Sequence, residues 1–163
     1  MSAAVAVFQE VVKGTVIFKD TETGCTITAN FSDMPPGDHG FHIHVAGDLR
    51  GTGCHGACDH YHVGPPTTHG DKPSSKGPRH TGDLGNVSMT QPKRRFFLEN
   101  VKVADLYGRT LIVHADPDDL GLGPHDDSKT TGHSGKRIAC AIIGRVSCQK
   151  SNQTRKTHKR IMR

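Results

Sequence analysis

Apolar residues in this chain return at every second position, in short runs closed off by turn residues. No stretch of useful length repeats them at the 3.6-residue spacing of an amphipathic helix. Each run therefore reads as a strand with one buried face, and many short strands hide those faces by stacking as two sheets or closing into a barrel. The alternation predicts strands over residues 3–9, 11–19, 24–32, 40–45, 84–90, 94–103, 109–115 and 137–146. Thr23-Gly24, Pro35-Pro36-Gly37, Gln91-Pro92 and Tyr107-Gly108 punctuate them. The expected fold class is all-β, an eight-stranded Greek-key barrel or sandwich with two long functional loops.

A length of 163 residues suits one domain with its own core. Nineteen Gly and 9 Pro, with 5% aromatic residues and no Trp, fit short strands and many turns rather than a helical bundle. No apolar run approaches the ~20 residues that cross a bilayer as a helix, so no membrane contact is expected. Residues 1–14 carry no basic leader, continuous apolar stretch or small-residue cleavage site, which gives a cytoplasmic location as the expectation. The net charge of +5 is uneven, because residues 147–163 hold Lys150, Arg155, Lys156, Lys159, Arg160 and Arg163 and no acid. Removing those six leaves 15 cations against 16 acids. The chain thus divides into a β domain over 1–147 and a basic polar tail over 148–163. The tail is either a solvated end or a contact for a polyanion, and it has no aromatic residue on which a base could stack.

Residues 46–83 and 116–136 lack periodicity and are rich in Gly, Pro, His and Asp, and connections of that length in a compact domain usually carry function. Eight of the 12 His fall between His39 and His80, a density that points first to metal. His42 and His44 stand two apart on one strand, so both rings leave the same face while Phe41 and Ile43 point to the core. His114 closes the strand Leu111–His114 on its outer face by the same logic. In the long loop His60, His69, His80 and Asp83 supply three imidazoles and a carboxylate, the donors of a closed tetrahedral zinc site. Their spacing matches no zinc-finger rule, and by spacing alone loop histidines in water are an equal reading.

The segments His39-Gly40-Phe41-His42-Ile43-His44, Gly82-Asp83-Leu84-Gly85-Asn86, Leu111-Ile112-Val113-His114 with Asp118-Asp119-Leu120-Gly121, and Arg137-Ile138-Ala139-Cys140, in that order, resemble copper/zinc superoxide dismutases from about residue 3 to 146. The resemblance implies one copper and one zinc per subunit. It also implies conversion of two superoxide radicals to dioxygen and hydrogen peroxide by a copper that is alternately reduced and oxidised. Carried over by position, His42, His44, His60 and His114 would hold copper. His60, His69, His80 and Asp83 would hold a structural zinc, with His60 the bridging imidazolate that takes and returns a proton. Asp118 would hydrogen-bond ligands of both metals and fix their tautomers. Arg137 would receive the anionic substrate, Thr131 would narrow the channel opposite it, and Asp126, Asp127 and Lys129 would shape the field at its mouth. Cys54 and Cys140 would form a disulfide between the long loop and the last strand. A homodimer is implied, with an altered interface, since Ala46 and Arg145 stand where the family has a large aromatic and an aliphatic residue.

Three departures leave alternatives open. His62 competes with His60 for the bridging place, because the run His60-Tyr61-His62-Val63-Gly64-Pro65 differs from the family's. Cys58 replaces a usual Gly, so Cys54, Cys58, His60 and His62 could make a soft zinc site instead, or Cys58 could pair with Cys140. Cys25 and Cys148 are expected to be unpaired. A non-catalytic metal-binding or copper-delivery module of the same fold is the functional alternative, and a polyanion-binding scaffold is another.

Overall fold

A computed structural model describes residues 2–147; the tail, including Cys148, lies outside the described residues. Nine strands form two antiparallel sheets. β1 (Ala3–Gln9), β2 (Lys13–Asp20), β3 (Gly24–Asp33), β6 (Lys93–Glu99) and β9 (Gly144–Arg145) make one, in the order β6-β3-β2-β1-β9. β4 (His39–His44), β5 (Asp83–Val87), β7 (Thr110–His114) and β8 (Arg137–Ile142) make the other, in the order β5-β4-β7-β8. The chain crosses between sheets after β3, β5 and β6, so that β7 returns beside β4, the long-return pairing of a Greek key.

Period-two alternation decides which side chains meet between the sheets. Ala4, Ala6 and Phe8 of β1, Ile27, Ala29 and Phe31 of β3, Phe96 and Leu98 of β6, and Phe41 and Ile43 of β4 are all buried. Phe41 of one sheet stands between Phe31 and Phe96 of the other, with ring centroids 5.8 and 6.0 Å away. Such edge-on and tilted aromatic contacts add specific geometry to the burial of apolar area.

The last predicted strand, 137–146, is corrected to two. β8 pairs with β7 as far as Ile142, and Gly144 then pairs with Val5 of β1. Between them Ile143 buries its side chain while its N–H donates to Arg109 O and its carbonyl accepts from Gly108 N. The chain therefore changes sheet at that residue without leaving a backbone group unpaired, closing this side of the sandwich. β6 stops at Glu99, short of the expected 103, because Asn100 takes a left-handed φ of 58°. A one-turn helix follows, α1 (Val103–Leu106), whose start is fixed by Lys102 N donating to Asp105 and Val103 N donating to Asp20. A second one-turn helix, α2 (Ser128–Thr131), lies in the 116–136 connection.

All six residues of β4 are buried, on both faces. One face meets the core, and the two long connections cover the other. The expected disulfide is present: Cys54 in the first connection bonds Cys140 on β8, 86 residues away. In the chain-entropy account a closed loop of that size is worth about 4–5 kcal/mol. Replacing fully buried Ile27 of the five-stranded sheet with Ala is expected to cost about 2–5 kcal/mol in urea unfolding, with the β4 histidines undisturbed. A loss under about 1 kcal/mol would mean that the far sheet does not share in the cooperative core.

Candidate metal centre

Strand geometry sets the first four imidazoles. His42 and His44 project from β4 onto the covered face, His114 ends β7 beside them, and His60 joins β4 through an isolated bridge between His44 and His60. Ladder irregularities at Gly40/His42 and Val113/His114 turn these side chains toward one another. His42 lies 4.1 Å from His60 and 4.8 Å from His114, centroid to centroid, and His44 lies 4.8 Å from His60. The sequence placed His114 on an outer face; it is only 4% exposed because the connections roof that face.

The loop residues complete a second group around the same ring. His60, His69, His80 and Asp83 bring one donor atom each within 4.8 Å of one another, as do His42, His44, His60 and His114. His60 is common to both. It is 5.2 Å from His69 and 5.5 Å from His80.

Hydrogen bonds settle which nitrogen of each ring faces inward. His42 Nε2 is bonded to Asp118 Oδ2 at 2.9 Å and His69 Nε2 to Asp118 Oδ1 at 2.8 Å. His44 Nδ1 donates to Cys58 O at 2.7 Å and His114 Nδ1 to Gly135 O at 3.2 Å. These outward bonds leave His42 Nδ1, His44 Nε2 and His114 Nε2 buried with no hydrogen-bond partner, and His60 Nε2 is likewise buried and unpartnered. His80 Nδ1 is in the same state, since its 3.3 Å approach to Asp83 Oδ2 is off hydrogen-bond geometry. His60 Nδ1 lies 2.8 Å from Asp83 Oδ1. Inward lone pairs, outward N–H donors and one carboxylate are the donor set and orientation that soft and borderline divalent metals require, so the residues fit copper and zinc.

Electrostatics agree. Burial, with repulsion among the imidazoles, holds His42, His44 and His60 below the usual value, and the same causes lower His114 to about 4 although Gly135 O opposes them. All four rings are neutral at pH 7. Burial also disfavours charge on His69, but hydrogen bonds to Asp118 and Asp83 outweigh it and raise the ring to about 9. Burial raises Asp83, and the His60, His69 and His80 rings overcome this and hold its carboxyl well below the usual range.

Arg137 begins β8 and donates Nη1 to Cys54 O at 2.9 Å and Nη2 to Cys58 O at 2.6 Å. With His44, His60, His114, Thr131 and Lys129 it lines an open cleft of about 880 Å³ above the four-imidazole group, and Asp127 lies at the same cleft. Asp126 is exposed and is not among the lining residues.

Two of the alternatives fail on position. His62 bonds Pro65 O at 2.7 Å and belongs to neither donor group. The thiolate site is excluded because Cys54 is in the disulfide and Cys58 is an exposed free thiol. Cys25 is free and buried as expected, its thiol pushed up to about 11 by burial.

Several residues that shape the site carry no signal in spacing. Asn86 exchanges two hydrogen bonds with the backbone of Asp118, at 2.7 and 2.9 Å, and so aims that carboxylate. Arg79 ties the loop with bonds to Asp71 O, Thr81 O and Asp83 O. Gly132 has φ +70°, and a Cβ there would collide with Asp118 and His69. Lys136, His55 and Asp59 also line the cleft.

A two-sheet β protein with two adjoining imidazole-rich positions that share one histidine is a dinuclear metalloprotein. Residues 12–143 match the model of the copper/zinc superoxide dismutase (SODC) family. The chain is 44% identical over 149 residues to the superoxide dismutase [Cu-Zn] of Paramecium bursaria Chlorella virus 1, covering 87% of this chain and 78% of that protein. It also superposes on a crystal structure titled as the clock protein EA4 with TM-score 0.76 and 34% identity, over 89% of this chain and 95% of that one. The chain belongs to the copper/zinc superoxide dismutase family.

Two predictions follow from the geometry. His80→Ala removes one donor from the loop group only, so zinc content and melting temperature are expected to fall while copper stays near wild type; unchanged zinc by elemental analysis would break the grouping. In metal-free protein His114 is neutral down to about 4, whereas an unfolded imidazole protonates near 6.5. The unfolded state binds more protons in that window, so this contribution is complete above 6.5 and lost as pH falls toward 4. Unfolding of the apoprotein should therefore become easier from pH 6.5 to 4, and His114→Asn should flatten that slope.

Proposed function

We propose that the chain converts superoxide to dioxygen and hydrogen peroxide with copper held by His42, His44, His60 and His114 and zinc held by His60, His69, His80 and Asp83. The observation that carries this reading is His60, whose Nε2 faces the first group without a partner while its Nδ1 sits against Asp83 of the second. Bound copper supplies a one-electron couple, and zinc supplies fixed positive charge that lowers the proton affinity of His60.

The protein's own groups do the rest. Arg137, charged at any working pH and with its fork pinned by two carbonyls, is the anion receiver beside the four-imidazole group. Lys129 adds positive charge to the cleft. Thr131, bonded to Asp127, narrows the approach across from Arg137. His60 Nε2 is the atom at which a proton is held between the two half-reactions and given to the reduced product. Asp118 keeps His42 and His69 in fixed tautomers through both. No feature of the cleft favours a non-catalytic module.

The same reading includes a homodimer whose interface differs at Ala46 and at Arg145, the latter stacked 4.9 Å over Tyr107. It includes a cytoplasmic location and a polyanion contact through residues 148–163, both argued from sequence. Among the described residues no helix is long and apolar enough to cross a membrane.

Arg137→Glu tests the centre of the proposal. Reversing this charge should cut superoxide turnover by about tenfold or more, consistent with steering effects on association, while copper content stays near one per chain. Copper lost in parallel with activity would make Arg137 structural.

A further inference from the structure

The outer face of the five-stranded sheet, on the side of the sandwich away from the metal centre, carries a cationic track with an exposed aromatic ring. Register places Lys19, Thr26 and Phe97 in one cross-strand row of β2, β3 and β6, and Ile17, Thr28 and Arg95 in the next. A cleft of about 650 Å³ opens where this face meets the loop residues Lys72–Ser74. It is lined by Thr26, Lys72, Ser74, Arg94, Arg95 and Phe97, and no acid is among its lining residues. A second cleft of about 490 Å³ shares Thr26 and Arg95 and continues over β2 past Lys19. Its single acid, Asp20, already accepts from Val103 N.

The cations here are free. Among the described residues the ion pairs of Lys and Arg are Lys13–Asp33 and Arg50–Asp48, so Lys19, Lys72, Arg94 and Arg95 have no carboxylate partner. Arg94 lies 5.6 Å over the Phe96 ring, and neither Arg94 nor Arg95 spends its guanidinium on a described hydrogen bond. Phe97 is 42% exposed although it sits in the middle of a regular strand. Four unpaired cations gathered at one cleft, in a domain of 15 cations and 16 acids, make a local field for an anion. Hydroxyls at Thr26, Thr28 and Ser74 add donors that suit phosphate oxygens. A simple polyanion has no use for Phe97. A strand of nucleotides has, since bases stack on exposed rings while phosphates follow a basic groove. The elongated, two-cleft shape fits a chain better than one nucleotide, and β6 presents Phe97, Arg95 and Lys93 at intervals of about 7 Å, with Glu99 closing the row at the end away from the cations.

We propose that this face is a binding site for single-stranded nucleic acid, independent of the metal centre. The contact is carried by Arg95, Lys72 and Lys19 on the phosphates and Phe97 on a base, with Arg94 reaching the same cleft from the Phe96 side of the β6 edge.

The test is fluorescence anisotropy of a labelled twelve-nucleotide oligothymidylate against full-length, metal-loaded protein at several salt concentrations. Inorganic polyphosphate of similar charge is the comparison ligand. Arg95→Gln should weaken binding of both ligands several-fold and reduce the salt slope. Phe97→Leu, which keeps an apolar residue in the strand, should weaken the oligonucleotide by about fivefold or more and leave polyphosphate unchanged. Superoxide turnover should be the same in both variants. If neither substitution changes oligonucleotide affinity, binding belongs to the tail and the proposal is overturned. If Arg95→Gln weakens both ligands while Phe97→Leu weakens neither, the face takes polyanions without base stacking and the assignment to nucleic acid fails. Absence of saturable binding also overturns it.

Discussion

A buried ring nitrogen without a hydrogen-bond partner costs about 1–3 kcal/mol, and this fold places five of them in one small volume. Left to themselves the rings would turn to find donors or admit water. His42, His44 and His114 are prevented because their other nitrogen is already committed to an oxygen of the backbone or of Asp118, and His60 because its Nδ1 is held against Asp83. Each outward bond selects a tautomer, and each selected tautomer leaves an inward lone pair. The unfavourable state is thus built by favourable bonds around it, and metal binding offsets it, which couples metal occupancy to folding. Asp118 is central because its two oxygens hold one ring from each group.

The sheets divide the work that this demands. Phe41 and Ile43 of β4 fill the core between the sheets, and His42 and His44, one residue on in each case, point the other way. A register slip of a single residue would exchange the two sets, so core packing itself specifies the orientation of the ligands. That dependence explains why an aromatic contact such as Phe41 against Phe31 and Phe96 belongs to the account of the site as much as to that of the fold. The five-stranded sheet, which contributes none of the grouped ligands, leaves its outer face free for other contacts.

The strands were legible where alternation alone determines them: residues 3–9 appear as β1 without a shift. Ends were misjudged where a single residue overrides the pattern. Asn100 turns left-handed and ends β6, and Ile143 keeps an inward side chain while its backbone changes sheet, an event that a period-two pattern does not record. His42, His44 and His114 were legible because a strand fixes their direction. His60 and His62 share a face in any extended reading, so alternation does not separate them, and only the family-like distance of His60 from Cys54 favours it. The loop's path separates them: the bridge to His44 draws His60 inward, and His62 is taken up by Pro65 and Thr81. Asn86 and Arg79 act on backbone atoms, and which carbonyls need a partner depends on the folded loop rather than on residue type.

Arg137 illustrates how far one covalent bond reaches into this chemistry. Its guanidinium is held by the carbonyls of Cys54 and Cys58, which flank the short turn His55–Ala57. Cys54 is bonded to Cys140, three residues beyond Arg137 on the same strand, so the disulfide fixes the acceptor turn relative to the strand that carries the donor. The Cys58 carbonyl also accepts from His44 Nδ1. One oxygen therefore orients both His44 and Arg137, and a shift of this turn would move the two together. A long loop would otherwise sample many positions at little cost. Tying it at Cys54, at the start of the short turn that ends in this shared oxygen, confines Arg137 and His44 to a single relative geometry.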